Sequence, residues 1–193
     1  MGSSVVELIK IKPFDLRLPT VRAIWAGSAT LAVGWLLLSA FPSSEIDVFS
    51  AGAARVTGIV TGLPTFRVEQ GWMLPLAGPW PVVVSPACSA SHYFLMISAL
   101  LSSHLARRGS SLMLAVAMGL MVGFPLTLLV NALRILSVIQ VYRWIVPHVL
   151  ARRVPFLHTL TGVAVFLPCL ISVNFLLEKY GHVFRAHRQQ TSG

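Results

Sequence analysis

Charge is what this sequence has least of. Only 11% of its 193 residues are Asp, Glu, Lys or Arg, where soluble chains carry about a quarter. A soluble globular protein is therefore excluded. Acidic residues are the scarcest, 6 against 15 Lys and Arg. Cysteine is nearly absent, and Cys88 and Cys169 are too few and too far apart for a disulfide framework or a zinc cluster. No repeat and no low-complexity tract is visible. What remains is apolar: 55% of the chain is hydrophobic, far too much for a disordered protein. The expected class is an all-α integral membrane protein. In a soluble protein the net charge of +9 would point to nucleic acid. Here membrane topology accounts for it, and no nucleic-acid partner is expected.

Uncharged stretches cover residues 23–44, 70–106, 109–133 and 154–177, each at or beyond the roughly 20 residues a helix needs to cross hydrocarbon. Pro75, Pro79, Pro81 and Pro86 break the front of the second. The expectation is four spans, at about 23–41, 87–106, 110–133 and 157–177, within a membrane domain at 23–178. A basic cytoplasmic arm at 1–22 would precede it and a basic cytoplasmic tail at 179–193 would follow. A cleaved signal peptide ending near Ser39-Ala40-Phe41 is disfavoured, because an apolar core of about 20 residues is too long for one. Ile46, Phe49, Ala53, Val56, Val60 and Leu63 recur at steps of three and four, predicting an interfacial helix over about 46–63. Residues 65–84 mix β-formers with Gly and Pro, predicting a short outer hairpin or extended loop.

With four spans both termini share a side. Nine basic residues, in the arm, at Arg107–Arg108 and in the tail, then face six across the membrane on longer loops. The more basic side is expected to be cytoplasmic. Trp72, Trp80, Tyr142 and Trp144 fall in the outer segments, where aromatic belts form.

This topology brings three reactive groups to one depth: Cys88 at the outer start of the second span, Arg134 at the outer end of the third, and His158 at the outer start of the fourth. Cys169, in mid-span, reads as a small hydrophobe. At a helix N-terminus and near a cation, the Cys88 thiol would ionise more readily. Arg134 either snorkels to the interface or, with Asn131 one turn earlier, forms an inward Asn-x-x-Arg pair. His158 either caps its helix or acts as acid–base, with Gly162 one turn on allowing close approach. His92, four residues after Cys88, competes for that acid–base role. Thiolate, guanidinium and imidazole together suit acyl transfer. With no carboxylate in reach a metal site is disfavoured, and no cofactor is expected.

Ser85-Pro86-Ala87-Cys88-Ser89-Ala90, then Asn131-Ala132-Leu133-Arg134, then His158 followed by Gly162 resemble the three signature regions of the exosortase and archaeosortase family. That family comprises polytopic membrane cysteine transpeptidases. The resemblance covers about 46–177 and is nearest the compact exosortase K subgroup. It implies a nucleophile at Cys88, an essential Arg134 and a third catalytic residue at His158. Two departures stand out. Ala90 replaces a usual Gly and would restrict substrate approach, and larger members have more spans, which leaves room for a membrane partner subunit.

The resemblance also implies a bacterial inner membrane location with the active site at the periplasmic face. Substrates would be exported proteins ending in a motif such as Pro-Glu-Pro, an apolar helix and a basic tail. Arg134, or Arg152 and Arg153, would attract the motif's Glu. The alternative from another class is a non-enzymatic membrane subunit, a transporter component or assembly factor.

Overall fold

The computed structural model describes residues 21–40, 48–75, 81–85, 88, 90–144 and 154–190. Among them the chain forms α1 (Val21–Ala40), α2 (Val48–Thr61), β1 (Phe66–Val68), β2 (Gly71–Leu74), β3 (Val82–Val84), α3 (Ser91–Arg107), α4 (Leu112–Trp144) and α5 (Val154–Gln190). The chain is mostly helical. Three of the described helices are long and apolar enough to cross a membrane: α1, α4, and α5 over Phe156–Lys179.

Helix boundaries depart from expectation in informative ways. The second expected span, 87–106, begins only at Ser91. Its 17 residues reach about 26 Å at 1.5 Å per residue, short of the roughly 30 Å hydrocarbon thickness. The third does not stop at 133. α4 continues through Arg134 to Trp144 because Ile135, Val138 and Ile139 are buried against the rest of the fold. α5 likewise exceeds 157–177 and carries the expected tail in helical form as far as Gln190. Arg152 and Arg153, most of the N-terminal arm, and Ile46 of the interfacial helix lie outside the described residues.

Small residues pack these helices and large ones face outward. On α1, Ala23, Ala26, Gly27, Thr30 and Gly34 are buried, whereas Trp25 and Trp35 are exposed. The seam runs to α3, where the Thr30 hydroxyl donates to Ser102 Oγ at 2.7 Å and Ser103 Oγ donates to the Ala23 carbonyl at 3.0 Å. Such seams let helix backbones approach when apolar surroundings give no reason to bury large side chains. The same physics corrects the stripe expected on α2. Its buried face is Phe49, Ser50, Ala53, Ala54, Thr57 and Gly58, while Val60 of the expected stripe is 64% exposed. That buried face packs on α4 and β2.

The strands form a three-stranded antiparallel sheet in the order β1-β2-β3, where a hairpin or extended loop was expected. Leu74 and Val84 join Ala53, Ala54, Ile135 and Ile139 in one buried cluster, with Cys88 packed against it. A second cluster holds Tyr93, Ile97, Leu101 and Val130, with Ala90 and Phe166 against it. Cys88 and Ala90 thus pack against two different cores.

Candidate active site

Cys88 does not begin a helix. It lies in a tight turn after β3, its backbone N–H donating to the Ser85 carbonyl at 2.8 Å. Two residues on, Ala90 adopts a left-handed backbone (φ 52, ψ 20), and α3 starts at Ser91 without a side-chain cap. Asn131 fixes the turn from α4. Fully buried, it donates Nδ2–H to the Cys88 carbonyl at 2.9 Å. Its expected partnership with Arg134 is therefore replaced by a bond to the cysteine backbone, which makes it a positioning residue.

The three side chains converge. Cys88 Sγ lies 3.7 Å from His158 Nε2, and Arg134 Nη2 lies 3.1 Å from the same nitrogen. Ser85 Oγ stands 3.8 Å from Sγ. The guanidinium sits over the Phe166 ring at 5.4 Å, and Phe166 stacks on Tyr93 at 4.7 Å between centroids. Gly162 makes this placement possible, since a β-carbon there would lie 3.1 Å from Arg134 Nε. Snorkelling is not what Arg134 does: its Nε is buried, with no acceptor among the described residues.

Electrostatics favour a thiolate. Burial raises the Cys88 pKa, but hydrogen bonds from His158 and Ser85, then the charge of Arg134, outweigh it and bring the thiol down to about 7. The cation expected near Cys88 is Arg134 of α4, and the hydrogen bonds come from Ser85 and from His158 of α5, whereas α3 begins only at Ser91. One nitrogen serves two neighbours, which constrains protonation. While Nε2 carries a lone pair it can accept from Arg134 or from the thiol. Once protonated it can only donate, and the guanidinium loses that acceptor.

Cys88, Arg134 and His158 line a small cleft of about 20 Å³ together with Val82, Val83 and Val84 of β3 and Ile135 and Val138 of α4. His92 is exposed, because α3 starts three residues after Cys88 and the two no longer share a helical face. Cys169 packs near Tyr93 in the second cluster. Sequence reasoning missed Phe166 as the seat of the guanidinium, though it stands at i+8 from His158 and i+4 from Gly162 on one helix face. No group of three His, Cys, Asp or Glu suited to a metal ion occurs among the described residues. No family model matches the chain, and neither does any curated protein or solved structure.

Proposed function

We propose that this protein is a membrane cysteine peptidase or transpeptidase of the exosortase kind, with Cys88 as nucleophile. The observation that carries the reading is a single imidazole nitrogen in contact with both a thiol and a guanidinium. The Cys88 proton passes to His158 Nε2, and the thiolate attacks a peptide carbonyl, forming a C–S bond and an oxyanion. Arg134, having lost its acceptor, turns its N–H groups to that oxyanion. Collapse breaks the C–N bond as His158 returns its proton to the leaving amine. The thioester is then released to water or to an acceptor amine.

In this reading α3 is a fourth, short span and α2 lies at the interface. The end bearing Arg22, Arg107 and Arg108 faces the cytoplasm of a bacterial inner membrane. The site then opens at the periplasmic face. Substrates are exported proteins with a C-terminal motif, an apolar helix and a basic tail, the helix lying beside these spans in lipid.

The test is cleavage of such a sorting-signal protein in membranes. Cys88→Ala should abolish it while the variant still accumulates. His158→Ala should reduce it by about 10²-fold or more, as loss of a general acid–base does, and His92→Ala should leave it unchanged. Normal cleavage by a membrane-inserted Cys88→Ala variant would return the protein to the non-enzymatic reading.

A further inference from the structure

A carbonyl under attack must be held, and β3 has the means. In the order β1-β2-β3 it pairs, among the described residues, on one side only. The orientation of its backbone follows from the hairpin. Two residues, Glu69 and Gln70, join β1 to β2, with Val68 opposite Gly71. A two-residue loop closes on a hydrogen-bonded pair, so Arg67 and Trp72 form the next, non-bonded pair. The Trp72 N–H and C=O therefore turn toward β3, where Val84 stands opposite. A β-carbon on Gly71 would collide with the Val84 carbonyl oxygen, which independently places that oxygen against β2. Alternation then turns the Val83 N–H and C=O away from the sheet. Among the described residues no backbone bond from outside the sheet reaches them.

Val82, Val83 and Val84 all line the cleft that holds Cys88, Arg134 and His158. Successive strand side chains point to opposite faces, so a cleft touching three in a row meets the strand at its edge. That edge runs into the Cys88 turn.

Resting on the peptidase reading, we infer that the free edge of β3 is the substrate-docking strand: an extended peptide segment pairs with the Val83 N–H and C=O, which lays its scissile carbonyl against Cys88. The occupant is extended rather than helical, because a helix has already used its own N–H and C=O groups. Its side chains are small or apolar, since they meet Ile135 and Val138 of α4. At about 20 Å³ the resting cleft has room for only a water or two, so docking widens the gap between β3 and α4.

The experiment uses the full chain in detergent micelles and follows Cys88 alkylation by mass spectrometry. The probes are iodoacetamide, methyl vinyl sulfone, an acetyl-trialanine vinyl sulfone, and the three mono-N-methylated forms of that peptide. The trialanine probe should react faster than methyl vinyl sulfone. N-methylation at one position should slow it by about tenfold, the loss of one hydrogen bond, and at the other two should change little. Val83→Pro, which removes the outward N–H at a position where an edge strand tolerates proline, should slow the peptide probe alike and leave iodoacetamide unaffected. Equal rates for all three N-methylated probes and their parent would overturn the docking strand, as would a parent no faster than methyl vinyl sulfone. Both results leave the peptidase reading standing if iodoacetamide still modifies Cys88 rapidly near neutral pH. Iodoacetamide reacting no faster at Cys88 than at Cys169 would instead remove the reading beneath it. If Val83→Pro does not fold, the N-methyl series on the unaltered protein decides.

Discussion

Arg108 and Arg134 sit at opposite ends of the helix bundle and are used differently. At one end, cations meet carbonyls: Arg108 donates to the Leu177 carbonyl, and Arg22 to the Ser110 carbonyl at 2.6 Å. Those bonds tie α1, the α3–α4 turn and α5 together. At the other end Arg134 meets an imidazole and a phenyl face, and its Nε has no acceptor among the described residues. A guanidinium has five N–H donors. Satisfied by carbonyls it is a strut; kept short of acceptors it is, in the proposed reading, a preorganised site for an anion that appears only during reaction. Position in the fold, rather than residue type, separates the two roles.

The largest expected effect breaks this comparison directly. Arg134→Ala removes a charge that favours the thiolate, so the Cys88 pKa rises above about 7. A higher pKa means less thiolate at fixed pH, and iodoacetamide labelling at pH 7 should slow several-fold, its pH profile moving toward the roughly 8.5 of a free thiol. Cleavage should fall by about 10²–10³-fold, as when an oxyanion donor is lost. Arg108→Ala should leave both readouts at wild-type values and lower stability by roughly 1–3 kcal/mol, the worth of a charged hydrogen bond. Slowed Cys88 labelling in Arg108→Ala would show that the two ends are not separate.

How much of this was legible beforehand follows from which forces act locally. Uncharged runs located α1, α3, α4 and α5 and an apolar stripe located α2, while the meeting of Cys88, Arg134 and His158 could be read from where those runs begin and end. The rotational setting of α2 could not. Stripe reasoning assumes that large apolar residues point inward, and here Ser50, Ala54, Thr57 and Gly58 do so while Val60 faces out. The end of α4 was misplaced because a charge was taken to stop a span, whereas Phe166 and His158 from α5 give Arg134 a lodging inside the fold. The source of thiol activation was legible only in part. The nearby cation is Arg134, as expected, but α3 starts three residues past Cys88, and the bonds to the sulfur come from Ser85 and from His158, 70 positions away.

Gly162→Ala sharpens the comparison by moving the guanidinium without removing it. The new methyl group would stand 3.1 Å from Arg134 Nε, close enough that the side chain must shift from His158 and Phe166. Alanine favours a helix over glycine by about 1 kcal/mol, which offsets the crowding. Thermal stability should therefore stay within about 1 kcal/mol of wild type, while cleavage drops roughly tenfold for a misplaced donor. Labelling of Cys88 should change less than in Arg134→Ala, because the charge stays nearby. Full cleavage by Gly162→Ala would mean that Arg134 does not act from its observed position.

The smallest effect concerns two helix boundaries with positive φ, one at each end. At the basic end the residue is Gly109 (φ 92), with nothing near its missing side chain. At the site end it is Ala90 (φ 52), held there by packing against the Tyr93 cluster. An L-residue in the left-handed region costs roughly 1–2 kcal/mol that glycine does not. Ala90→Gly recovers that strain, but it loses part of a methyl group's burial, up to about 0.8 kcal/mol, and frees the unfolded chain by about 0.4–1 kcal/mol. These terms nearly cancel, so the melting free energy should rise by less than about 1 kcal/mol. The bond from the Phe94 N–H to the residue-90 carbonyl is a backbone bond and survives the change, so the Cys88 turn and its labelling rate should stay as they are. Unchanged cleavage as well would leave packing, not restriction of substrate approach, as the reason for Ala90. A gain in cleavage by Ala90→Gly at unchanged labelling would instead make its methyl group an obstacle to the peptide.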